Sequence, residues 1–133
     1  MAIVDIPQTV LVVEDQVLIR MSTVASLEDA GLCVLEADDC AQALDLLAQH
    51  VEISVMVTDV RMPGAMDGLA LVSRVQRDYP VIRAVVVSGN ALATDAYKAG
   101  AARFIAKPYP AQSVVRAVLS LIPANRLPLG SVA

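Results

Sequence analysis

Several polar residues stand directly after short apolar runs. Glu14 and Asp15 follow Val10-Leu11-Val12-Val13, Asp59 follows Val55-Met56-Val57-Thr58, Ser88 follows Val85-Val86-Val87, and Lys107 follows Phe104-Ile105-Ala106. If the runs are parallel strands, their carboxyl ends share the crevice in which open α/β sheets bind ligands. Three carboxylates gathered there repel one another unless one is protonated or a cation neutralises them. With oxygen donors from Glu14, Asp15 and Asp59, and no Cys or His to join them, Mg²⁺ is favoured over zinc. Asp59 ends a buried-looking run, where a carboxylate is costly without a partner. A metal-neutralised Asp can act as a nucleophile and form an aspartyl-phosphate. Lys107 would neutralise charge on the phosphoryl group or pair with Asp59 in its absence, and the Ser88 hydroxyl could donate to a phosphoryl oxygen. Taken singly, Glu14-Asp15 reads as a solvated turn, Lys107 as a loop lysine before Pro108, Ser88 as a turn former and Phe104, the chain's sole Phe, as a core residue. Their shared position after strands favours the site.

The elements that must place these residues are legible as alternating periods. Apolar runs near 9 to 13, 32 to 36, 53 to 58, 82 to 87 and 102 to 106 read as five strands. Val17, Met21, Val24 and Leu27 predict an amphipathic helix over 16 to 30, closed by Gly31. Asp38 or Asp39 can cap a second helix through Gln49, and Asp67 a third through Asp78, stopped by Tyr79-Pro80. A shorter helix spans Ala91 to Ala99 and ends at Gly100, and Val114, Val118, Leu121 and Ile122 mark the apolar stripe of a last one. Strict strand and helix alternation predicts an α/β, doubly wound five-stranded parallel sheet of flavodoxin-like order 2-1-3-4-5, with five helices on two faces. Residues 1 to 8 and 123 to 133 fall outside the pattern, leaving one domain over 9 to 122 and a tail expected to carry no output domain.

Composition agrees with such a core. The 133 residues suit one domain, and 56% hydrophobic content with 3% aromatic requires a core of Val, Leu, Ala and Ile, as a sheet buried on both faces demands. A net charge of -4 argues against direct nucleic acid binding. No stretch reaches the ~18 apolar residues of a membrane span, and no basic leader precedes the first strand, so a cytoplasmic address is expected by default. Cys33 and Cys40 lack CxxC spacing and read as reduced and structural. His50, the sole histidine, ends a helix-like stretch where its charge would suit the dipole.

The segments Val12-Val13-Glu14-Asp15, Thr58-Asp59-Val60-Arg61-Met62-Pro63, Asp67-Gly68, Val87-Ser88-Gly89, Gly100-Ala101 and Lys107-Pro108 occur in the order and approximate spacing of a known family. Over roughly 9 to 122 the chain resembles the receiver domain of two-component response regulators. The resemblance implies that Asp59 is the phosphoacceptor, that Glu14, Asp15 and Asp59 hold Mg²⁺ with the Arg61 carbonyl, and that Ser88 and Phe104 form a switch pair. It also implies a cis Lys107-Pro108 peptide and places Arg61 and Asn90 where the family tunes self-dephosphorylation; Arg61 pairing with Glu14 when metal is absent is an equal alternative. The implied function is a phosphorelay switch that accepts a phosphoryl group from a histidine kinase or histidine phosphotransferase and changes a binding surface for an unknown downstream protein.

Kinase-side docking is implied on the first helix near Val17, Leu18 and Arg20 and on the loop Pro108 to Pro110. Output is implied on the fourth helix, fifth strand and fifth helix, including Tyr97, Lys98, Arg103 and Arg116. Glu14 stands where the family more often has Asp, Gly64-Ala65-Met66 lengthens the loop after Asp59 by one residue, and Arg103 stands where dimerising relatives carry acids. The alternatives are a receiver excised from a hybrid histidine kinase and, in another class, a small aspartyl-phosphate phosphatase. Asp59-Val60-Arg61 lacks the second Asp that such an enzyme needs. A flavin module is disfavoured by the acidic, glycine-free Glu14-Asp15-Gln16 loop.

Overall fold

The computed structural model describes residues 8–91 and 93–128. Five apolar runs form the strands β1 (Thr9–Val13), β2 (Cys33–Ala37), β3 (Ile53–Asp59), β4 (Arg83–Ser88) and β5 (Arg103–Ala106). They pair in parallel in the order β2-β1-β3-β4-β5. Between and after them lie α1 (Val17–Asp29), α2 (Cys40–Gln49), α3 (Gly68–Asp78), α4 (Ala93–Ala99) and α5 (Ala111–Ser120). The predicted alternation and strand order are both realised. Registers such as Val13↔Thr58, Asp59↔Val87 and Ser88↔Ala106 bring the carboxyl ends of the inner strands level.

Because successive side chains of a strand point to opposite faces, the β-branched runs feed two cores. Leu11, Val13, Met56 and Val86 pack with α2, α3 and α4 on one face. Val10, Val12, Val55, Val57, Val85 and Val87 pack with α1 and α5 on the other. Leu11, Met56, Leu71 and Val85 are fully enclosed. Each such side chain contributes about 1.5–3 kcal/mol relative to exposure, and this burial holds the strands in register.

Asp39 rather than Asp38 caps α2, accepting from the Gln42 N–H at 2.8 Å, while the Gln42 side chain returns to the Asp38 N–H at 2.7 Å. Asp67 caps α3 through the Ala70 N–H at 2.9 Å. Gly31, at φ +91, turns the chain out of α1 in the left-handed conformation that a side chain resists.

The expected stripe on α1 is corrected. Thr23, Val24 and Leu27 face inward, whereas Val17 and Met21 are more than half exposed. At about 100° per residue, Val17 and Met21 fall beside the arc that Thr23, Val24 and Leu27 define, on the rim of the helix that β1 and α5 do not cover. The fourth helix starts at Ala93, two residues later than expected. Past α5, Ala124–Arg126 makes a 3-10 turn and Leu127 packs, half-buried, against the α1 and α5 core. Of the termini expected outside the pattern, 1–7 and 129–133 lie outside the described residues. Among the described residues, no helix is long and apolar enough to cross a membrane.

Candidate functional site

The strand ends converge. Glu14 continues β1, its N–H donating to the Ala37 carbonyl of the neighbouring strand at 3.0 Å. Asp59 and Ser88 are the last residues of β3 and β4. Lys107 follows β5, its N–H held by the Ser88 carbonyl at 2.9 Å, and the Lys107-Pro108 peptide is cis, as expected. From there the Lys107 ammonium reaches back to Asp59 Oδ2 at 2.5 Å and Glu14 Oε1 at 3.2 Å.

Glu14 and Asp59 are buried and Asp15 is half-buried, with one carboxylate oxygen of each within 4.8 Å of the others. Desolvation raises the Glu14 carboxyl above its ordinary value; the Gln16 N–H opposes that shift and the Asp59 charge adds to it. Burial alone would depress Lys107, but the hydrogen bond it donates to Asp59 and the charges of Glu14 and Asp59 outweigh it, so its ammonium holds its proton more tightly than usual. One ammonium thus faces three carboxylates. Asp15 Oδ1 is buried and has no hydrogen-bond partner. An orphaned acceptor of this kind costs about 1–3 kcal/mol. A divalent cation relieves both the orphan and the repulsion, and the donor set, oxygen alone, suits a hard ion such as Mg²⁺.

Around this centre, the Asp59 carboxylate is clamped by its own loop. Oδ1 accepts from the Val60 N–H at 2.6 Å and the Arg61 N–H at 3.4 Å. Ser88 Oγ accepts from the N–H groups of Asn90 at 3.1 Å and Ala91 at 2.9 Å, which leaves its hydrogen free to donate. Phe104 is half-buried on β5 against the α3 and α4 core, level with Val86. Asn90 is exposed.

The alternative pairing of Arg61 with Glu14 is not formed. Arg61 is exposed, and Lys107 takes the Glu14 carboxylate instead because its strand end places the ammonium between Glu14 and Asp59. His50 pairs with Glu52 at 2.8 Å just beyond α2.

Two contributors were not singled out from sequence. Gly68, the first residue of α3, lies so close to Asp59 that a Cβ would sit 1.8 Å from the Asp59 carbonyl oxygen, and its N–H donates to the Val60 carbonyl at 2.8 Å. The Asp-Gly pair signalled a helix cap; the close approach behind the acid had no linear signature. Arg20, noticed only as a docking residue, donates to the Glu14 carbonyl at 2.7 Å and pairs with Glu36 at 3.2 Å, fixing the loop after β1. Beside the centre, a cleft of about 510 Å³ runs between α1 and the loop after β5, lined by Leu18, Ile19, Thr23, Lys107, Pro108 and Tyr109 among others.

Comparison with known proteins bears on this arrangement. The family model for the response regulator receiver domain matches residues 10–119. The DNA-binding transcriptional regulator NtrC of Escherichia coli K12 is 32% identical over 112 residues, covering 82% of this chain and 24% of that protein. The chain therefore spans about a quarter of the length of that relative. A chemotaxis protein CheY homolog of Campylobacter jejuni is 38% identical over 84 residues, covering 59% of this chain and 64% of that protein. Among solved structures, a response regulator receiver protein from Pseudomonas putida superposes with a TM-score of 0.79 at 28% identity, covering 86% of this chain and 98% of that one.

Proposed function

The chain belongs to the response regulator receiver domain family of two-component signalling, and we propose that it works there as a phosphorylation switch whose acceptor is Asp59. The observation that carries the reading is the Asp59 carboxylate itself. It is buried at the end of β3, held by the Val60 N–H and the Lys107 ammonium, beside an acidic pair with an unpartnered oxygen. A histidine kinase or histidine phosphotransferase is the donor. An Asp59 oxygen attacks phosphorus, the phosphorus–nitrogen bond of the phosphohistidine breaks, and the imidazole keeps the electron pair. Glu14, Asp15 and Asp59, with the Arg61 carbonyl, would hold Mg²⁺, which supplies positive charge against the phosphoryl oxygens.

Lys107 balances charge on the transferred group, for which it must release part of its contact with Asp59. Ser88 has a hydrogen to donate, and moving that hydroxyl toward the phosphoryl group loosens its hold on the loop at Asn90 and Ala91. Phe104, half-buried on the adjacent strand, is the side chain positioned to repack in response. The phosphoryl group carries roughly -1.5 to -2 and replaces the single negative charge of the Asp59 carboxylate, so a net change of about -0.5 to -1, moved outward onto the phosphoryl oxygens, is thereby converted into a packing change at β4 and β5. Arg61 and Asn90, exposed at the rim, tune how long the acyl phosphate survives attack by water. The donor docks on Leu18 and the Pro108 side of the cleft, which opens onto Lys107. The protein is thus a switch and not a turnover enzyme.

The test is incubation with acetyl phosphate and Mg²⁺ followed by intact-mass measurement. Wild type should gain one phosphoryl group, and neither Asp59→Asn nor wild type with the metal chelated should do so. Equal gain by Asp59→Asn would remove Asp59 from the role.

A further inference from the structure

The helix that follows Glu14 and Asp15 begins without the usual chemistry of a helix start. Whereas Asp39 and Asp67 cap α2 and α3 with their carboxylates, Gln16 caps α1 without a side-chain hydrogen bond, and no acid stands in its first turn. The loop between β1 and α1 is held instead by Arg20, one turn into the helix. Its N–H donates to the Gln16 carbonyl at 2.9 Å, and its Nη1 donates to the Glu14 carbonyl at 2.7 Å. From the other side, the Glu14 N–H donates to the Ala37 carbonyl at 3.0 Å and the Gln16 N–H to Glu14 Oε2 at 3.2 Å. Both peptide units flanking the Asp15 Cα therefore have a partner, and Arg20 supplies one of them.

The guanidinium is itself aimed. Its Nε lies 3.2 Å from Glu36 Oε1 on β2, and only 17% of the side chain is exposed. Arg20 also differs from Lys107 in the oxygens it takes. Lys107 occupies carboxylate oxygens of Glu14 and Asp59, the atoms a cation would need. Arg20 takes a peptide oxygen and leaves every carboxylate of the acidic group free, so its contact can stand with or without metal.

We propose that Arg20 is a positioning residue for the divalent cation. Held by Glu36 and holding the Glu14 carbonyl, it presents the Asp15 carboxylate, whose Oδ1 is buried without a partner, to the carboxylates of Glu14 and Asp59. This deepens the switch reading and rests on its acidic site. It gives Arg20 an inward role where the resemblance implied an outward one. Partners that orient metal-binding groups typically govern about ten- to a hundredfold in metal affinity. The positive charge of Arg20 acts the other way, since a cation near the site repels Mg²⁺. Geometry and charge thus predict opposite signs when the side chain is removed. Lysine separates them again, because it keeps the charge but lacks the planar fork that meets Glu14 and Glu36 together.

The test is isothermal titration calorimetry of Mg²⁺ into the full, chelator-treated chain at physiological salt, with no phosphodonor present. Arg20→Met should bind Mg²⁺ about tenfold more weakly than wild type, and Arg20→Lys nearly as weakly. Glu36→Ala, at an exposed position of the β2 edge, should weaken binding less and should cause no further loss once Arg20 is replaced by Met. Melting of the metal-free variants, followed by circular dichroism, is the control. A merely structural Arg20 would lower the melting temperature and leave the affinity measured below it unchanged. Should Arg20→Met fail to fold, Arg20→Lys and Glu36→Ala carry the same comparison. Arg20→Met binding as tightly as wild type or tighter would overturn the proposal, as would Arg20→Lys matching wild type or an equal Glu36→Ala loss in both backgrounds. Wild type that takes up no Mg²⁺ would be a different failure, removing the metal site and the proposal with it.

Discussion

Replacing Gly68 by Ala sets helix propensity against the geometry behind Asp59. Propensity alone favours Ala over Gly by up to about 1 kcal/mol. In the structure the added Cβ would fall 1.8 Å from the Asp59 carbonyl oxygen and 2.8 Å from the Val60 Cα, both backbone atoms that no rotamer change can clear. An ordinary carbon–oxygen contact begins near 3.3 Å, so the start of α3 must retreat by about 1.5 Å. That retreat breaks the hydrogen bond from the Gly68 N–H to the Val60 carbonyl, worth about 1 kcal/mol, and adds overpacking of about 1–3 kcal/mol. After the propensity gain the net loss is about 2 kcal/mol, a drop in the urea midpoint of roughly 1 M for a slope of about 1.5–2 kcal/mol/M. Urea unfolding followed by circular dichroism measures it. Gly89→Ala is the matched control, because its Cβ would meet only the Lys107 Cβ at 3.7 Å, an ordinary contact. A Gly68→Ala midpoint at or above wild type would refute the reasoning.

Other outcomes follow from the same geometry. Burial, with the charges of Asp39 and Asp67 adding to it, raises the Cys40 thiol to about 11, and Cys33 is exposed. Iodoacetamide at pH 8 should therefore label Cys33 and spare Cys40 until urea is added; mass spectrometry of equal labelling at both would contradict the burial. Asp39→Ala removes the cap of α2 and should cost about 1 kcal/mol in chemical unfolding. Glu14 binds its proton more tightly folded than unfolded, so its contribution to stability is present below its ordinary value of 4.5 and lost as pH rises through the raised folded value. In metal-free protein, Glu14→Gln should flatten that loss, and Mg²⁺ should raise the melting temperature of wild type more at pH 8 than at pH 5. A pH-independent Mg²⁺ effect would contradict this coupling.

The strands were legible because a sheet buried on both faces leaves unbroken Val and Ile runs, and the polar residue ending each run was therefore conspicuous. Asp39 and Asp67 announced helix starts by chemistry that acts within four residues. Contacts across the chain were harder to see. The inward face of α1 depends on where β1 and α5 lie, so Val17 and Met21 matched the period and still lie outside. Likewise, whether Arg61 or Lys107 would take Glu14 depends on which strand end points inward. Gly68 belongs to the same class, since only the approach of α3 to the end of β3 makes the missing Cβ necessary.

The central claim is that one side chain, Asp59, carries the phosphoryl group. Borohydride reduction of protein treated with acetyl phosphate and Mg²⁺ converts an aspartyl-phosphate to homoserine, and peptide mass mapping then locates it. The account predicts homoserine at position 59 alone, dependent on Mg²⁺ and on the phosphodonor. Homoserine at Asp15 or Asp67, or none at position 59 in protein that has gained phosphate, would contradict it.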